Sequence, residues 1–206
     1  MTVSQLYDKL TSKEFQDPAN SDLFYNFFFF LYPVHEEVSM RRDIAAFKAN
    51  LVKPVNYIDV LTIDIFEAFC TYLDQRPFGK DNPSMLNYLK EKDATAQDPA
   101  RHADITRSLS NQARSGAFMQ YIHERILAHI GKTDDGNVRP YVFLYGFGTI
   151  FPYLRASEFL SLYEPLNKAS RYKIILFYPG TSHDGRFSLF GKLADAHAYR
   201  AHVLMN

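Results

Sequence analysis

One short segment, residues 174–178, limits most strongly what this chain can fold into. Its sequence, Ile-Ile-Leu-Phe-Tyr, contains only aliphatic and aromatic residues, and Pro179 and Gly180 follow it directly. Such a run predicts a strand that is buried on both faces, with a loop that leaves the sheet at the Pro-Gly pair. In open α/β sheets, ligands and partners bind at the carboxyl ends of the strands. The alternative is that Pro179 and Gly180 only mark a turn.

Strand-like and helix-like segments alternate along the rest of the chain. Buried strands are predicted at residues 25–32, 55–61, 141–145 and 174–178, and a fifth strand within residues 197–205. This alternation predicts an α/β fold of three layers, in which a mainly parallel sheet of about five strands has helices on both faces. The order of the elements is like that of the P-loop NTPases, and we expect one α/β domain over the whole chain.

The starts of two helices can be predicted from capping residues. A stripe of apolar residues with helical spacing follows the first strand, and Ser39 is its predicted N-cap. This stripe consists of Met40, Ile44, Phe47 and Leu51. Arg41 and Arg42 fall outside the stripe, so we expect them on a solvated face. After the second strand, Asp64 and Glu67 have the spacing of a capping box.

The character of the chain changes between residues 74 and 101. Polar residues dominate there, and several prolines interrupt the helical pattern. We interpret this stretch as a polar insertion or flap within the domain, and Ser84 as the cap of a short helix inside it. Helical spacing resumes afterwards and continues to Gly131, with an expected interruption near Gly116.

Composition argues against several classes of partner. The 206 residues include 23 basic and 23 acidic side chains, so the formal net charge is zero, and neither nucleic acid nor a membrane surface is favoured as the main partner. Cys70 is the only cysteine, which is typical of a reducing cytoplasm. The first residues lack the basic and apolar segments of a secretory leader, so we expect a cytoplasmic protein.

No phosphate-binding loop is found where this fold would need one. Gly131-Lys132-Thr133 resembles the end of such a loop, but Ile126 stands where its first glycine belongs, and the triplet follows a helix instead of a strand. The equivalent position after the first strand is residues 32–39, which contain no glycine. Backbone amides cannot cradle phosphates there in the usual way. We therefore expect a P-loop-like fold without a functional P-loop and without a cofactor.

The candidate catalytic and metal-binding residues do not form a recognisable motif. His197 and His202 are five residues apart, and His123 and His129 are six apart in a predicted helix, so we expect neither pair to share one face. His183 and Asp184 could form an acid–base pair, but adjacent side chains usually point apart, and no Ser or Cys lies in the elbow sequence of a nucleophile. These observations predict neither a metal site nor an enzyme.

Several segments in the second half of the chain share the pattern of a known family. They are Val142-Phe-Leu-Tyr-Gly-Phe-Gly-Thr-Ile-Phe-Pro-Tyr-Leu-Arg155, Ile175-Leu-Phe-Tyr-Pro-Gly180 with Gly185, Ser188-Leu-Phe-Gly191 and Tyr199-Arg-Ala201. In this order they resemble the BrxB family, which comprises small proteins of the bacteriophage-exclusion (BREX) systems of bacteria and archaea. The resemblance is sharp over the last third of the chain, and it departs from the family pattern at Ala198, where members often have an aromatic residue.

The resemblance implies a role in defence against phage. BREX systems methylate adenines of host DNA and block phage replication, and the BrxB family has no established catalytic residues that could be carried over. A structural or regulatory subunit is therefore implied. The implied partner is another BREX protein: the phosphatase-like protein first, with the methyltransferase or the large ATPase as alternatives.

The shared motifs also suggest a surface for this partner near the end of the fourth strand. Arginines could offer planar donors to carboxylates of the partner, and tyrosines could supply aromatic anchors. The candidate partner-binding residues are Arg155, Tyr178, Pro179, Gly180, Asp184, Arg186, Tyr199 and Arg200. The alternative is that Arg155 and Arg200 form internal salt bridges with Asp184, Asp195 or Glu158.

Three functions remain open on the sequence. The first is a non-enzymatic subunit of a BREX assembly. The second is a degenerate P-loop-like enzyme or a protein that binds nucleotides or nucleic acid, which the predicted sheet favours. The third, direct binding of DNA, depends only on Arg41, Arg42 and scattered basic residues, and we rank it last.

Overall fold

The structure is a computed structural model, and it describes residues 3–16, 27–79, 84–132, 138–167, 172–183, 186–194 and 202–204. The predictions for residues 25, 26, 184, 185 and 195–201 lie outside the described residues.

One mixed β-sheet forms the centre of the fold. Its strands are β1 (Phe27–Tyr32), β2 (Ile58–Asp64), β3 (Arg139–Tyr145), β4 (Lys173–His183), β5 (Arg186–Leu189), β6 (Leu193–Ala194) and β7 (His202–Val203). The main path has the order β2-β3-β4-β1-β7, and all of its neighbouring strands are parallel. β5 pairs antiparallel with the outer part of β4, and β6 pairs antiparallel with β5. The predicted α/β fold is confirmed, but the sheet is mixed because of this antiparallel extension.

Nine α-helices connect and cover the described strands. They are α1 (Val3–Thr11), α2 (Lys13–Gln16), α3 (Glu37–Leu51), α4 (Ile65–Asp74), α5 (Met85–Thr95), α6 (Pro99–Ala113), α7 (Gly116–Ile130), α8 (Phe147–Ile150) and α9 (Ala156–Tyr163). Short 3-10 helices occupy Val34–Glu36, Pro54–Asn56 and Glu164–Leu166. The predicted interruption near Gly116 is confirmed, because Ser115 caps α7 there.

Alternate residues of β1 divide the core into two clusters. Phe27 and Phe29 face one cluster, together with residues of α4, α7 and α9. Phe28 and Phe30 face the other cluster, which includes the apolar stripe of α3. Successive side chains of a strand point to opposite faces of the sheet, so an uninterrupted apolar strand needs a packed layer on both sides. The burial of each of these rings contributes roughly 1.5–3 kcal/mol.

Two of the three predicted helix caps are confirmed. The side chain of Asp64 accepts hydrogen bonds from the amides of Phe66 and Glu67 at the start of α4. Ser84 accepts one from the amide of Asn87 at the start of α5. The prediction for Ser39 was wrong. α3 begins at Glu37, so Ser39 lies within the first turn of the helix and does not precede it. Ser39 Oγ donates to the carbonyl of Glu36 instead.

The second strand begins three residues later than predicted. Pro54 starts a 3-10 helix, and Tyr57 then adopts a left-handed conformation with φ 51°. The chain turns into β2 only after this residue. The β-branched residue Val55, which suggested a strand, therefore lies in the preceding turn.

β2 forms one edge of the sheet, and its backbone is partly protected there. Among the described strands, only β3 pairs with it. The amide of Val60 donates to Oδ1 of Asp59 at 2.9 Å, and Oδ2 of Asp59 lies 2.7 Å from Nε2 of His129 on α7. A side chain thus takes up a backbone donor that an edge strand would otherwise present to another strand.

The polar stretch at residues 74–101 contains the helix α5 and the start of α6. Leu89 is the buried residue of α5, and Tyr88 stacks on Phe78 with 4.2 Å between the ring centroids. α6 buries only Ala113 at its end. These two helices therefore pack on the first core cluster mainly through partly buried residues, which are Met85, Leu86, Tyr88, Ile105 and Leu109. In the described part of the chain, no helix is long and apolar enough to cross a membrane.

Candidate functional site

The Pro-Gly pair lies inside β4 and not in a loop. Pro179 pairs with Tyr32 at the end of the β1 ladder, and Gly180 pairs with Leu189 of β5. A Cβ atom at Gly180 would collide with the carbonyl oxygen of Ser188, so the two strands can approach closely only because residue 180 is glycine. The prediction that a loop leaves the sheet at this pair was wrong. The pair instead carries β4 from the parallel sheet into a β-hairpin with β5.

Tyr178 does not supply an exposed aromatic anchor. Its side chain is 1 % exposed, and its ring packs edge-on against Phe29 and Phe187 at centroid distances of 5.5 and 6.2 Å. Tyr178 faces the first core cluster because it alternates with Phe177, which faces the second. Its role is therefore to pack the base of the hairpin.

Arg155 links helix α9 to the hairpin. Its Nη1 donates to the carbonyl of Ala194 at 3.2 Å, and its guanidinium lies 5.6 Å from the ring centroid of Phe151. The backbone amide of Arg155 donates to Glu158, whose carboxylate forms an ion pair with Arg114 at 3.1 Å. Arg155 therefore stabilises the position of the hairpin against the body of the protein.

The described part of the hairpin is basic. Arg186 on β5 and Lys192 before β6 are exposed, and Arg155 contacts the end of β6 through its bond to Ala194. No acidic residue occurs in residues 173–183 or 186–194, and Asp184 and Asp195 border these segments in the sequence. We call Arg155, Arg186 and Lys192 the hairpin surface. Of the other predicted partner-binding residues, Asp184, Tyr199 and Arg200 lie outside the described residues.

A second polar group lies at the carboxyl ends of β1 and β2, and the sequence analysis did not predict it. Arg41 Nη1 lies 2.8 Å from Oδ2 of Asp64, whose side chain is 2 % exposed. Arg41 Nη2 also donates to Thr149 Oγ1 at 2.7 Å. Arg41 thus connects α3 to the end of β2 and to α8, and the expectation that it lies on a solvated face was wrong. We call Arg41, Asp64, Thr149, Glu37 and Tyr32 the carboxyl-end cluster.

Glu37 and Tyr32 complete this cluster where a phosphate loop would follow the first strand. The hydroxyl of Tyr32 donates to Oε2 of Glu37, and Oε1 of Glu37 lies 3.7 Å from Nε of Arg41. Burial, and then the hydrogen bond to Glu37, raise the pKa of Tyr32 far above its usual value. A carboxylate in the first turn of α3 repels phosphate, so this position is unsuited to a triphosphate.

The chemistry available to the carboxyl-end cluster is limited by its internal bonds. One oxygen of Asp64 accepts from two backbone amides, and the other contacts Arg41. Asp64 is therefore engaged as a helix cap and a buried counter-ion, and it does not face a substrate. Among the described residues, no group of three or more His, Cys, Asp or Glu side chains could hold a metal ion. The arrangement is that of a structural clamp.

Two features of the sequence are consistent with an ion-paired Arg41. Glu37 and Arg41 are four residues apart, which places them on one helix face. Asp64 ends an apolar strand, and a buried carboxylate at that position needs a cation in addition to its capping bonds. Neither signal identifies the partner without the fold.

Comparison with known proteins agrees with this description. The family model described as BREX protein BrxB matches residues 61–204. A BREX protein BrxB from Bacillus cereus (strain H3081.97) is 23 % identical over 205 residues, which cover 99 % of this chain and 96 % of that protein. No solved structure matches. The match begins within β2, includes the clamp residue Asp64 and the whole hairpin, and extends beyond β7, and the chain therefore belongs to the BrxB family of BREX proteins.

Proposed function

We propose that this chain is a non-catalytic structural or regulatory subunit of a BREX anti-phage defence complex in the cytoplasm. Membership of the BrxB family implies a component of a BREX system. The finer proposal is that the chain works by binding another BREX protein, with the phosphatase-like protein as its first partner and the methyltransferase or the large ATPase as alternatives.

The state of the charged groups at the carboxyl ends of the strands carries this proposal. An enzyme built on such a sheet keeps reactive groups there, facing a ligand. In this chain the buried carboxylate of Asp64 accepts hydrogen bonds from two backbone amides and forms an ion pair with Arg41. The cations Arg186 and Lys192, in contrast, are exposed on the hairpin. Inward-facing charges that are paired, and outward-facing charges that are exposed, suit docking better than catalysis.

Co-purification of the separate proteins followed by light scattering tests the proposal. We expect a stable complex with one BREX component at micromolar concentration. Reversal of both hairpin charges (Arg186→Glu with Lys192→Glu) should weaken that complex at least tenfold. The matched control is Lys90→Glu with Lys92→Glu on α5, which also reverses two exposed charges but away from the hairpin. Failure of every BREX component to bind the native chain would refute the docking role.

The second candidate is a nucleotide-binding protein, and the parallel main path of the sheet favours it. It requires a triphosphate to be held beside Glu37 without a glycine loop. Calorimetry with ATP and magnesium distinguishes the two candidates. Docking alone predicts no heat and no thermal shift, whereas binding of the nucleotide with a stoichiometry near one would replace our proposal with this alternative.

A further inference from the structure

Helix α3 carries apolar residues on two faces. Its inner face packs into the second core cluster. A second stripe runs along its outer face and continues into the residues on either side of the helix, with steps of four, four, three, four and three residues. Its first member lies in the 3-10 helix before α3, and its last member directly follows α3. The stripe consists of Val34, Val38, Arg42, Ala45, Ala49 and Val52, and all six are exposed. We call these residues the outer stripe of α3. Alternating steps of three and four keep residues on one side of a helix, which is the spacing of a helix–helix contact.

In the described part of the chain, the exposed large hydrophobic residues are concentrated in the outer stripe and just beyond it. Seven large hydrophobic residues are exposed in the described part of the chain, and five of them lie between residues 34 and 57. Val38 is 75 % exposed, and Val55, just beyond α3, is 80 % exposed. Single exposed hydrophobic residues are common, but a concentration of them marks an interaction surface.

The charge pattern of the outer stripe indicates what covers it. Arg42 is the one charged residue within the stripe, and it makes no ion pair with any carboxylate in the described part of the chain. Its neighbour Arg41, in contrast, is neutralised by Asp64. Lys48 and Lys53 border the stripe as further cations. The acidic residues of the same segment are Glu36, Glu37 and Asp43, and Glu37 is already bonded to Tyr32 and Arg41. A partner on this face therefore needs acidic side chains near an apolar seam.

The small residues of the outer stripe favour a helix as the occupant. Ala45 and Ala49 lie in the middle of α3, where their short side chains let another backbone approach closely. The 15 residues of α3 extend over about 22 Å at about 1.5 Å per residue, which is long enough for three turns or more of a second helix.

A second copy of the chain fits this face poorly. An antiparallel pairing of two α3 helices about Ala45 would place Arg42 of one copy opposite Lys48 of the other. Like charges that face each other across an interface are destabilising. Charge complementarity thus favours a different protein.

We propose that the outer stripe of α3 binds an amphipathic helix of another BREX protein, with apolar residues against Val38, Ala45, Ala49 and Val52 and an acidic residue opposite Arg42. This inference deepens the proposed docking function and depends on it. It adds a second contact region, distinct from the hairpin surface.

The test uses the native chain and the purified phosphatase-like protein, methyltransferase and large ATPase of the same system. Val38→Glu, Ala49→Glu and Arg42→Glu should each weaken the complex at least tenfold. All three positions are exposed, so thermal unfolding should stay within a few degrees of the native chain. The matched control is Leu162→Glu on α9, which alters an exposed hydrophobic residue elsewhere.

A photo-cross-linking residue at position 38 then identifies the segment that covers the stripe. We expect the cross-linked peptide to belong to a helix with an acidic residue, and reversal of that acid to Arg should restore binding by Arg42→Glu. Cross-links to a segment without an acidic residue, or no rescue, would overturn the inference.

The remaining outcomes separate this inference from the docking function itself. If the stripe variants bind normally while the hairpin variant does not, the inference is wrong and the docking function stands. If light scattering shows a dimer of the native chain that Val38→Glu converts to a monomer, the stripe binds a second copy and the inference is again wrong. If no BREX component binds the native chain, both proposals fail together.

Discussion

The carboxylate of Asp64 occupies the space in which a side chain at residue 146 would begin. A Cβ atom on Gly146 would collide with Oδ1 of Asp64, and the backbone of Gly146 has φ 86°, in the left-handed region. The chain can therefore pass the ion pair of Asp64 and Arg41 at the end of β3 only because residue 146 is glycine. The glycine that follows the third strand therefore has a local packing reason.

Gly146→Ala should destabilise the fold by about 2–4 kcal/mol, because a left-handed non-glycine residue costs roughly 1–3 kcal/mol and the collision adds to this. Chemical denaturation measures the change. Gly116→Ala at the start of α7 is the control, since a Cβ there meets nothing within 4 Å. Equal stability of the two variants would contradict the described contact between residues 146 and 64.

Arg41→Met should destabilise the protein by about 2 kcal/mol, whereas Arg42→Met should change its stability by less than about 0.5 kcal/mol. The first change leaves the buried carboxylate of Asp64 without its cation, although the guanidinium is about one-third exposed, which lowers the cost. The second change removes an exposed charge. Urea unfolding of the two variants side by side checks the difference, and a cost at residue 42 as large as that at residue 41 would argue against the clamp.

Stability should fall as the pH drops from 7 towards 5, in part because of His123. Burial lowers the pKa of His123 in the folded state, and Glu124 partly offsets this. As the pH falls, His123 of the unfolded chain therefore takes up a proton first, at about pH 6.5. Below that pH the contribution of His123 to folding stability decreases, and the decrease ends once His123 of the folded chain is protonated as well. Nδ1 of His123 lies 3.0 Å from the hydroxyl oxygen of Tyr163, which in turn lies 3.1 Å from that of Tyr172.

His123→Gln should flatten this dependence on pH while it keeps a hydrogen-bonding group beside Tyr163. Thermal unfolding between pH 5 and 7.5 gives the comparison with the native chain. A variant with the same slope as the native chain over this range would show that other groups account for the acid sensitivity.

Tyr178→Ala should cost about 3–5 kcal/mol of folding stability, because it removes a fully buried ring that packs between two others. Tyr178→Phe keeps the ring and should be much milder. At a temperature where it remains folded, Tyr178→Phe should bind its BREX partner as the native chain does. A large loss of binding without loss of stability would restore Tyr178 as a contact residue.

The core of the fold could be predicted because burial leaves a local trace in the sequence. The run at residues 174–178 and the inner stripe of α3 are apolar since they face packed layers, and both predictions are confirmed. Asp64 and Ser84 could be identified as caps because the amides that they satisfy are two or three residues away.

The path of the chain through the hairpin could not be predicted, because it depends on pairing with two other strands, β1 and β5. Pro179 and Gly180 read locally as the end of a strand. The strand continues because both residues take part in pairing. Pro179 occupies the last position of the β1 ladder, and its carbonyl accepts a hydrogen bond from the amide of Phe190, directly after β5. Arg41 was misread for the same reason. Its partner Asp64 is the last residue of the following strand, β2, and only the folded sheet brings the two side chains together.

The protected edge of β2 restricts how this protein can associate with others. With Val60 already bonded to Asp59, and Asp59 held by His129, an incoming chain finds one donor fewer with which to extend the sheet. Recruitment through backbone ladders is insensitive to sequence and readily becomes aggregation. A subunit that discourages it at this edge must instead recognise its neighbours by the shape and charge of side chains, so that substitutions can change its affinity for one neighbour at a time.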